Sequence, residues 1–384
     1  MTELKEEILL SSNEEADGAI EQTDESSSEI KKPFDPTQID ITSKSLIIDS
    51  LIKRMKTNTI DINTEFQRQG NLWNKISQSR LIESLLVRIP LPAFYFDGSD
   101  DNNWKVVDGL QRLSTLKNFI IDKTLKLENL EYLTSFNNYG FDDLPLYLKR
   151  RIEESQVTTY IINPGTPANV KYNIFKRINT GGLVLYSQEI RHALNQGIPA
   201  DFVKELSGLS EFHQATGYAL QNKKRMEDRD FVMRFIAFYW GYDDYESDVD
   251  GYLNDKMASL SKITQNERDQ LKKDFIKAMN AAYNIFGNDA FRKRASLDER
   301  RRPLNKSLFD AWSTNLARLA QDEIDTIVEK REIVKTRLIE LINNNISFYN
   351  SITYATGGFN AVKTRMDVIK ELIETIVYDE EFKT

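Results

Sequence analysis

The amino-acid sequence predicts an α+β protein, in which an N-terminal domain built on a small mixed sheet is followed by an α-helical C-terminal domain. Between residues 93 and 162, short apolar runs of strand length are bounded by turn-forming residues. From about residue 200 onward, apolar residues instead recur at helical spacing. A chain of 384 residues, 40% of them hydrophobic, is long enough to form two domains of ordinary size.

The predicted organisation is an acidic tail over 1–36, a mixed domain over 37–198 and a helical domain over 199–384. Residues 1–30 contain ten acidic residues and one basic residue, so the tail cannot bury enough apolar surface to offset the entropy of ordering. We expect it to be disordered and dispensable for folding. Residues 31–384 hold 50 basic and 49 acidic residues, so the net charge of −8 does not exclude a local basic patch.

Individual elements follow from periodicity and from turn and cap residues. Strands are predicted at Ala93–Phe96, Trp104–Val107 and Val157–Ile162. In the N-terminal half, helices are predicted over Ser43–Lys56, after an N-cap at Ser77, from about Gln111, and from Thr166-Pro167 to Ile178. In the C-terminal half they are predicted at Asp228–Tyr239, Glu267–Phe286, Asn305–Ala320, Ile324–Asn343 and Asn360–Tyr378.

The scarcity of cysteine and histidine excludes several kinds of site. The chain has no cysteine, which excludes disulfides, thiolate zinc sites and cysteine nucleophiles. Its two histidines, His192 and His213, lie far apart, so we do not expect a histidine–metal nuclease site, which needs two histidines on one small motif. The N-terminus lacks the pattern of a signal peptide and no apolar run reaches about 18 residues, so we expect a cytoplasmic protein without a membrane partner.

The first candidate motif is a strand that turns through Asp108-Gly109-Leu110-Gln111-Arg112 into a helix. Such a turn directs free backbone N–H groups at one point, where they commonly bind a phosphate. Glycine has no side chain, so the phosphate can approach the backbone closely. In this interpretation, Arg112 donates two parallel hydrogen bonds to phosphate oxygens, and Asp108 holds a metal ion or orients water. The alternative is purely structural: Asp108 caps the helix and pairs with Arg112. The local sequence favours neither interpretation, because Asp-Gly turns before helices are common.

Two further motifs are weaker on their own. Gln67 and Arg68, in the run Glu65–Arg68 before Trp73, stand where a short strand is expected, and locally a solvated strand end is the better interpretation. The run Phe175–Gly182 is a helix closed by glycine, although Asn179 and the amide of Gly181 are also suited to contacting a nucleotide.

Together these motifs resemble the N-terminal domain of GmrSD-type restriction endonucleases, in the ParB/sulfiredoxin-like superfamily. The resemblance covers roughly residues 43–195, and the family's usual run is Asp-Gly-Gln-Gln-Arg, where this chain has leucine at 110. The best-matched stretches are Phe66-Gln67-Arg68 with Trp73, Ser79–Leu86, Ile89-Pro90, Val107–Leu116 and Ile178–Gly182.

The resemblance implies binding of a nucleoside triphosphate, with hydrolysis in some relatives, as part of defence against foreign or modified DNA. It also implies Mg²⁺ and a nuclease, here on a separate chain. Asp108 and Arg112 are the expected catalytic residues, and Asp108 the metal ligand. The expected nucleotide contacts are Gln67, Arg68, Gly109, Gln111, Arg112, Asn179 and Gly181. The alternatives are a non-hydrolysing DNA-binding or regulatory protein, and a ParB-like DNA nuclease, which the lack of a nuclease metal cluster disfavours.

A basic cluster over residues 291–306 is the candidate nucleic-acid contact. This stretch contains seven basic residues and two acidic residues, and such an excess of positive charge can neutralise phosphates. The members expected to contact DNA are Arg292, Lys293, Arg300, Arg301 and Arg302. A solvated loop with local ion pairs is the alternative, and it is slightly favoured because Phe291 is the sole aromatic residue within the cluster's basic runs.

Overall fold

The computed structural model describes residues 20–21, 36–62, 73–178, 186–223 and 225–378. These residues form two compact units. The N-terminal unit comprises those up to Leu194, except for Ile20 and Glu21, which belong to the helical unit that begins at Asn195. The predicted fold class is confirmed, because a small mixed sheet lies in the first unit and the second is helical.

The N-terminal unit is built on one sheet flanked by helices. Its elements are β1 (Ile41–Ile47), α1 (Ile48–Lys56), β2 (Ile60–Asp61), α2 (Lys75–Leu86), β3 (Phe94–Asp97), β4 (Trp104–Asp108), α3 (Leu110–Leu116), α4 (Leu146–Glu153), β5 (Gln156–Ile162), α5 (Ala168–Ile178) and α6 (Ser187–Leu194). Within the described ranges, five strands pair in the order β1-β5-β3-β4-β2. The pairs β1/β5 and β3/β4 are antiparallel, whereas β5/β3 and β4/β2 are parallel.

The two faces of the sheet differ because side chains alternate along a strand. Phe94 and Phe96 of β3 are fully buried and belong to the hydrophobic core shared with α1, α2 and α3. The ring of Phe96 lies 5.5 Å from that of Trp104 in β4. The alternate residues, including Tyr95 and Asp97, point to the opposite face, where polar groups can meet.

The start of the first helix differs from the prediction. Residues 43–47 were expected to be helical, but they belong to β1, which pairs with β5 from Ile41 opposite Ile162 to Ile47 opposite Gln156. β-Branched residues at 41, 42 and 47 favour a strand, and the pairing partner lies too far along the chain for a local pattern to show it. The helix begins at Ile48, and its buried face includes Leu51 and Met55.

The other N-terminal elements lie close to their predicted positions. The three predicted strands are confirmed, with ends shifted by at most one residue. The predicted N-cap at Ser77 is wrong, because Asn74 caps α2 by accepting a hydrogen bond of 2.8 Å from the backbone N–H of Ser77. Asn74 serves because its short side chain reaches the free amides of the first turn.

The helical unit has one continuous apolar core. Its helices are α7 (Ile198–Ser207), α8 (Ser210–Ala215), α9 (Glu227–Tyr239), α10 (Val249–Ser259), α11 (Gln265–Phe286), α12 (Lys306–Arg318), α13 (Gln321–Glu329), α14 (Arg331–Asn344), α15 (Ile346–Ser351) and α16 (Phe359–Tyr378). Every residue of α12 from Ser307 to Ala317 is buried, so this helix is central. The single helix predicted over 324–343 is in fact two, α13 and α14, separated at Lys330.

A buried charge cluster lies inside the helical unit. Asp310 of α12 accepts hydrogen bonds from Arg234 of α9 at 2.8 and 2.6 Å and from Arg365 of α16 at 2.9 Å. The side chains of Asp310 and Arg365 have no exposed surface. Arg365 also donates to the carbonyl oxygen of Thr356 at 2.7 Å. Three helices are therefore joined through the Asp310 carboxylate, and Arg365 adds a loop to the network.

Two residues of the acidic tail lie against the helical unit. Ile20 forms a parallel β-bridge with Leu304, and the Glu21 carboxylate pairs with Lys293. The disorder predicted for 1–36 stays a prediction for the residues outside the described ranges. Among the helices that the structure describes, none combines the length and apolarity that crossing a bilayer demands.

Candidate functional site

The turn between β4 and α3 requires glycine. Gly109 is the N-cap of α3 and has a φ of 102°, in the left-handed region that other residues rarely adopt. A Cβ atom there would lie 2.5 Å from Cδ1 of Phe94. Since Gly109 occupies the cap position, Asp108 does not cap the helix.

Arg112 lies beneath this turn and is 8% exposed. Its guanidinium donates to the backbone carbonyl of Ala93 at 3.2 Å and to that of Pro92, and lies 4.6 Å from the ring centre of Phe94. It also pairs with the Asp108 carboxylate at 2.6 Å. Burial lowers the pKa of Arg112, and the charge of Asp108 opposes that shift. The ion pair between Asp108 and Arg112, which the purely structural interpretation predicts, is therefore present. The guanidinium of Arg112 donates its hydrogen bonds to groups of the protein itself.

Asp108 differs from Arg112 in being accessible. Its side chain is 38% exposed, whereas that of Arg112 is 9% exposed. The arginine holds one carboxylate oxygen from the buried side, and the rest of the carboxylate faces outward at the end of β4. A carboxylate fixed in this way is suited to a hard cation or a polar ligand.

Gln111 connects the motif to the chain around Trp73. Its side-chain oxygen accepts a hydrogen bond of 3.0 Å from the backbone N–H of Trp73. On the other side, Gln78 of α2 donates to the carbonyl oxygen of Trp73 at 2.7 Å. Gln67 and Arg68 lie outside the described residues, but the backbone at Trp73, five residues beyond Arg68, is fixed by the motif helix.

Two tyrosines next to the motif were missed by sequence reasoning. Tyr95 stands opposite Asp108 in the β3/β4 register, and its ring stacks on that of Tyr160 in β5 with centroids 4.8 Å apart. Burial raises the pKa of Tyr95, the nearby Tyr160 and Asp108 raise it further, and Arg112 opposes them. The alternation of Phe94, Tyr95 and Phe96 was the signal that could have placed Tyr95 on the polar face.

The helix that leads into the third motif is fixed to the same sheet. Lys171 of α5 pairs with the buried carboxylate of Asp97 at 3.1 Å and also contacts Ser99. Burial lowers the pKa of the neighbouring Lys105, and Asp97 opposes that shift. This ion pair fixes the start of α5 on β3.

The third motif itself is only partly described. Asn179 and Gly181 lie outside the described residues. Immediately after this stretch, α6 buries a row of polar side chains, where the Nε of Arg191 donates to Gln188 at 2.7 Å and the backbone N–H of Tyr186 donates to Glu189 at 2.7 Å. His192 is 3% exposed on the same helix.

The structure divides the predicted DNA-binding cluster. Arg292 and Lys293 are 2% and 4% exposed, and both are engaged by the protein. Arg292 donates to the carbonyl oxygens of Asn288 at 3.2 Å, Thr216 at 3.4 Å and Arg302. These two residues hold the helical unit together and present little charge to a ligand.

The remaining arginines are more accessible. Arg300 is exposed, Arg301 donates to the carbonyl oxygen of Gly217 at 3.3 Å, and Arg302 pairs with Glu299. Arg300 is therefore the member of the cluster that is best placed to meet an external phosphate.

The N-terminal unit is thus a small mixed-sheet domain with an Asp-Gly turn from strand to helix and an arginine that holds the aspartate. Residues 48–195 match a family model described as the GmrSD restriction endonuclease, N-terminal domain. This stretch contains the whole motif at Asp108–Arg112, so the resemblance to the GmrSD N-terminal domain is confirmed over residues 48–195. The match indicates a restriction-type protein that acts on DNA. No curated protein and no solved structure matches the chain.

Proposed function

We propose that the N-terminal unit binds a nucleoside triphosphate together with Mg²⁺ at Asp108, in a restriction-type defence system whose DNA cleavage resides on a separate chain. The observation that carries the proposal is the Asp108 carboxylate, which is 38% exposed and held from its buried side by Arg112. It lies inside the stretch that matches the GmrSD N-terminal domain.

The donor set fits a magnesium ion shared with a nucleotide. Mg²⁺ in nucleotide sites is usually bound by one or two carboxylates, with phosphates and water as the other ligands. Across the described residues, no group of three or more acidic or histidine side chains forms a resident metal cage, whereas Asp108 offers one carboxylate. When bound, the ion would neutralise phosphate charge.

The role proposed for Arg112 changes with the structure. Its donors reach Asp108 and two backbone carbonyls, so it acts as a positioning residue for the carboxylate instead of forking onto phosphates. Gln111 acts similarly on the backbone at Trp73. Direct nucleotide contacts are then proposed for Gln67, Arg68, Gly109, Asn179 and Gly181.

Nucleotide titration of the full chain tests this proposal. Fluorescent triphosphates of each base are titrated with Mg²⁺ or with a chelator, using the parent chain, Asp108→Asn and the matched control Asp101→Asn in the exposed β3–β4 turn. We expect Mg²⁺ to strengthen binding by about tenfold in the parent and control, about 1.4 kcal/mol, and to have no effect in Asp108→Asn. An unchanged Mg²⁺ effect in Asp108→Asn contradicts the proposal.

A non-hydrolysing regulatory protein is the second candidate, favoured by the full engagement of Arg112 with the protein. Release of phosphate from bound triphosphate separates the two candidates, because a pure switch binds without turnover. The same preparation incubated with plasmid DNA tests the separate nuclease. Intact plasmid is expected, and cleavage by the purified chain would instead favour the nuclease alternative.

DNA contact through the basic cluster is proposed for Arg300 and its neighbours. Arg300→Ala should reduce the slope of log affinity against log salt by about 1, since one fewer phosphate is neutralised. Arg331→Ala, an exposed arginine on α14, is the matched control. Equal slopes in the two variants would show that Arg300 does not contact DNA phosphates.

A further inference from the structure

A single row of side chains crosses the polar face of the N-terminal sheet and ends at Asp108. Tyr95 stands opposite Asp108 in the β3/β4 register. Tyr160 of β5 is the partner of Tyr95, and Ser43 of β1 is the partner of Tyr160. Paired residues on neighbouring strands point to the same face, so these four side chains lie side by side. The row therefore consists of a serine, two tyrosines and a carboxylate.

The ring of Tyr160 has one covered face and one open face. It stacks on the ring of Tyr95 with centroids 4.8 Å and planes 21° apart, so the face towards β3 is covered. The other face points towards β1, where the exposed Ser43 is its neighbour. A serine side chain is too short to cover a ring. A planar group can therefore stack on the outer face of Tyr160, in the way that bases stack on aromatic side chains.

The polar ends of the two tyrosines are also open. Both side chains are partly exposed, and within the described ranges neither Tyr95 nor Tyr160 uses its hydroxyl in a hydrogen bond. Tyrosines that serve packing usually find a partner for the hydroxyl when they are buried. Tyr252 of the helical unit does so by donating to the carbonyl oxygen of Ala237 at 3.2 Å. The row thus offers a ring face and two hydroxyls to a ligand.

The length of the row suits a nucleotide that lies across the sheet. Neighbouring strands are about 4.8 Å apart, so three spacings place Ser43 roughly 14 Å from Asp108. This length is comparable with the distance from the base to the terminal phosphate of an extended nucleoside triphosphate. Phosphates at Asp108 therefore leave the base within reach of the outer face of Tyr160.

We propose that the ring of Tyr160 is the stacking platform for the base of the nucleotide, with the phosphates at the Asp108 end of the row. The inference rests on the nucleotide site proposed above. Stacking requires a flat ring and no particular hydrogen-bonding edge, so the platform accepts every base. Tyr160 then strengthens the binding of all nucleoside triphosphates and contributes nothing to the binding of a phosphate chain without a base.

Base-free tripolyphosphate separates the platform from the phosphate site. The full chain is titrated with each nucleoside triphosphate and with inorganic tripolyphosphate, in the presence of Mg²⁺. Tyr160→Leu should weaken the binding of every nucleoside triphosphate by roughly tenfold or more and leave tripolyphosphate binding as it is in the parent. Tyr160→Phe keeps the ring and should retain most of the affinity. Tyr132→Leu, at an exposed tyrosine outside the row, is the matched control and should bind both probes like the parent.

A ring added at Ser43 tests the open face itself. Ser43→Tyr covers the outer face of Tyr160, and tyrosine is favoured in strands, so the variant should stay folded in a thermal melt. Its affinity for nucleoside triphosphates should fall towards that for tripolyphosphate.

A purely structural role of the tyrosine pair predicts a different pattern. Tyr160→Leu would then lower the melting temperature, and both Tyr160→Leu and Ser43→Tyr would bind nucleoside triphosphates like the parent. That result overturns the inference. If Asp108→Asn still abolishes the Mg²⁺ effect in the same titrations, the nucleotide site stands without the platform. If the parent chain binds no nucleoside triphosphate, the proposed function fails and the platform fails with it.

Discussion

Each unit of the protein buries an arginine against an aspartate, and the two sites differ in the surroundings of the carboxylate. In the helical unit, Asp310 has no exposed surface and is bonded by two arginines, Arg234 and Arg365. In the N-terminal unit, Asp108 is 38% exposed although its partner Arg112 is buried. The comparison separates a carboxylate enclosed by its partners, which serves the fold, from one held at the surface, which remains available to a ligand.

The largest expected effect is at Asp310. Asp310→Asn leaves two buried guanidinium groups without a counter-charge, and breaking a buried ion pair from one side costs about 3–5 kcal/mol. Urea unfolding of the full chain should show this loss in the helical unit. Asp322→Asn, at an exposed position in the first turn of α13, is the control and should lower the free energy of unfolding by less than about 1 kcal/mol. If Asp310→Asn lowers the free energy of unfolding by less than about 1 kcal/mol, the enclosed carboxylate does not stabilise the fold as the comparison requires.

Arg112 should give a smaller loss. Arg112→Met removes hydrogen bonds to Pro92, Ala93 and Asp108, but Asp108 can turn to solvent, so we expect a loss of about 1.5–3 kcal/mol. Arg112→Lys keeps the positive charge but lacks the planar guanidinium with its several donors. It should therefore be more stable than Arg112→Met and less stable than the parent chain. The same unfolding measurement checks both variants. An unchanged stability in Arg112→Met would mean that the network beneath the turn contributes nothing to the fold.

Asp108 sharpens the comparison most directly. Asp108→Asn removes the counter-charge of the buried Arg112, but Arg112 keeps its hydrogen bonds to Pro92 and Ala93, and the carboxylate is partly solvated. We therefore expect a loss of about 1 kcal/mol, well below that of Asp310→Asn. Its effect should also appear in Mg²⁺-dependent nucleotide binding. If Asp108→Asn destabilises the chain as much as Asp310→Asn does, the two aspartates have the same structural role and the nucleotide site loses its main support.

Tyrosine–aspartate pairs in the helical unit give the smallest effect, and it appears only at high pH. Tyr239 donates to Asp274 and Tyr242 to Asp367, each at 2.9 Å. Burial and then these carboxylates raise the pKa of both tyrosines to about 12 from 10.0. The folded chain keeps protons that the unfolded chain loses, so their contribution is present below pH 10 and lost as the pH rises towards 12. Tyr239→Phe with Tyr242→Phe should flatten the stability profile over this range; an equally steep profile contradicts the assignment.

Local patterns predicted the motif well. Strand β4, the glycine turn and the start of α3 are all confirmed, because alternation and an Asp-Gly turn are readable within about ten residues. The pairing of Asp108 with Arg112 was also among the two interpretations of the sequence. What the sequence did not show is that Arg112 also donates to Pro92 and Ala93, since a contact across 19 or 20 residues leaves no periodic signal.

Longer-range features were predicted poorly. The segment 43–47 was assigned to a helix because its strand partner is more than a hundred residues away. Arg292 and Lys293 looked like surface charges, because a run of basic residues does not reveal that backbone carbonyls and Glu21 accept hydrogen bonds from them inside the fold. The buried pair of Arg234 and Asp310 had no sequence signal either, because the two residues lie on helices 76 positions apart.

The β1/β5 pairing has a consequence for the order of folding. Thr159 of β5 bonds to the backbone of Lys44, 115 residues earlier in the chain. Closing a loop of that length is slow, whereas β3, β4 and α3 lie within one short stretch and can associate early. We therefore expect the turn at Gly109 to belong to the folding nucleus and β1 to join the sheet late. Substitutions in β1 should then accelerate unfolding and leave the refolding rate nearly unchanged.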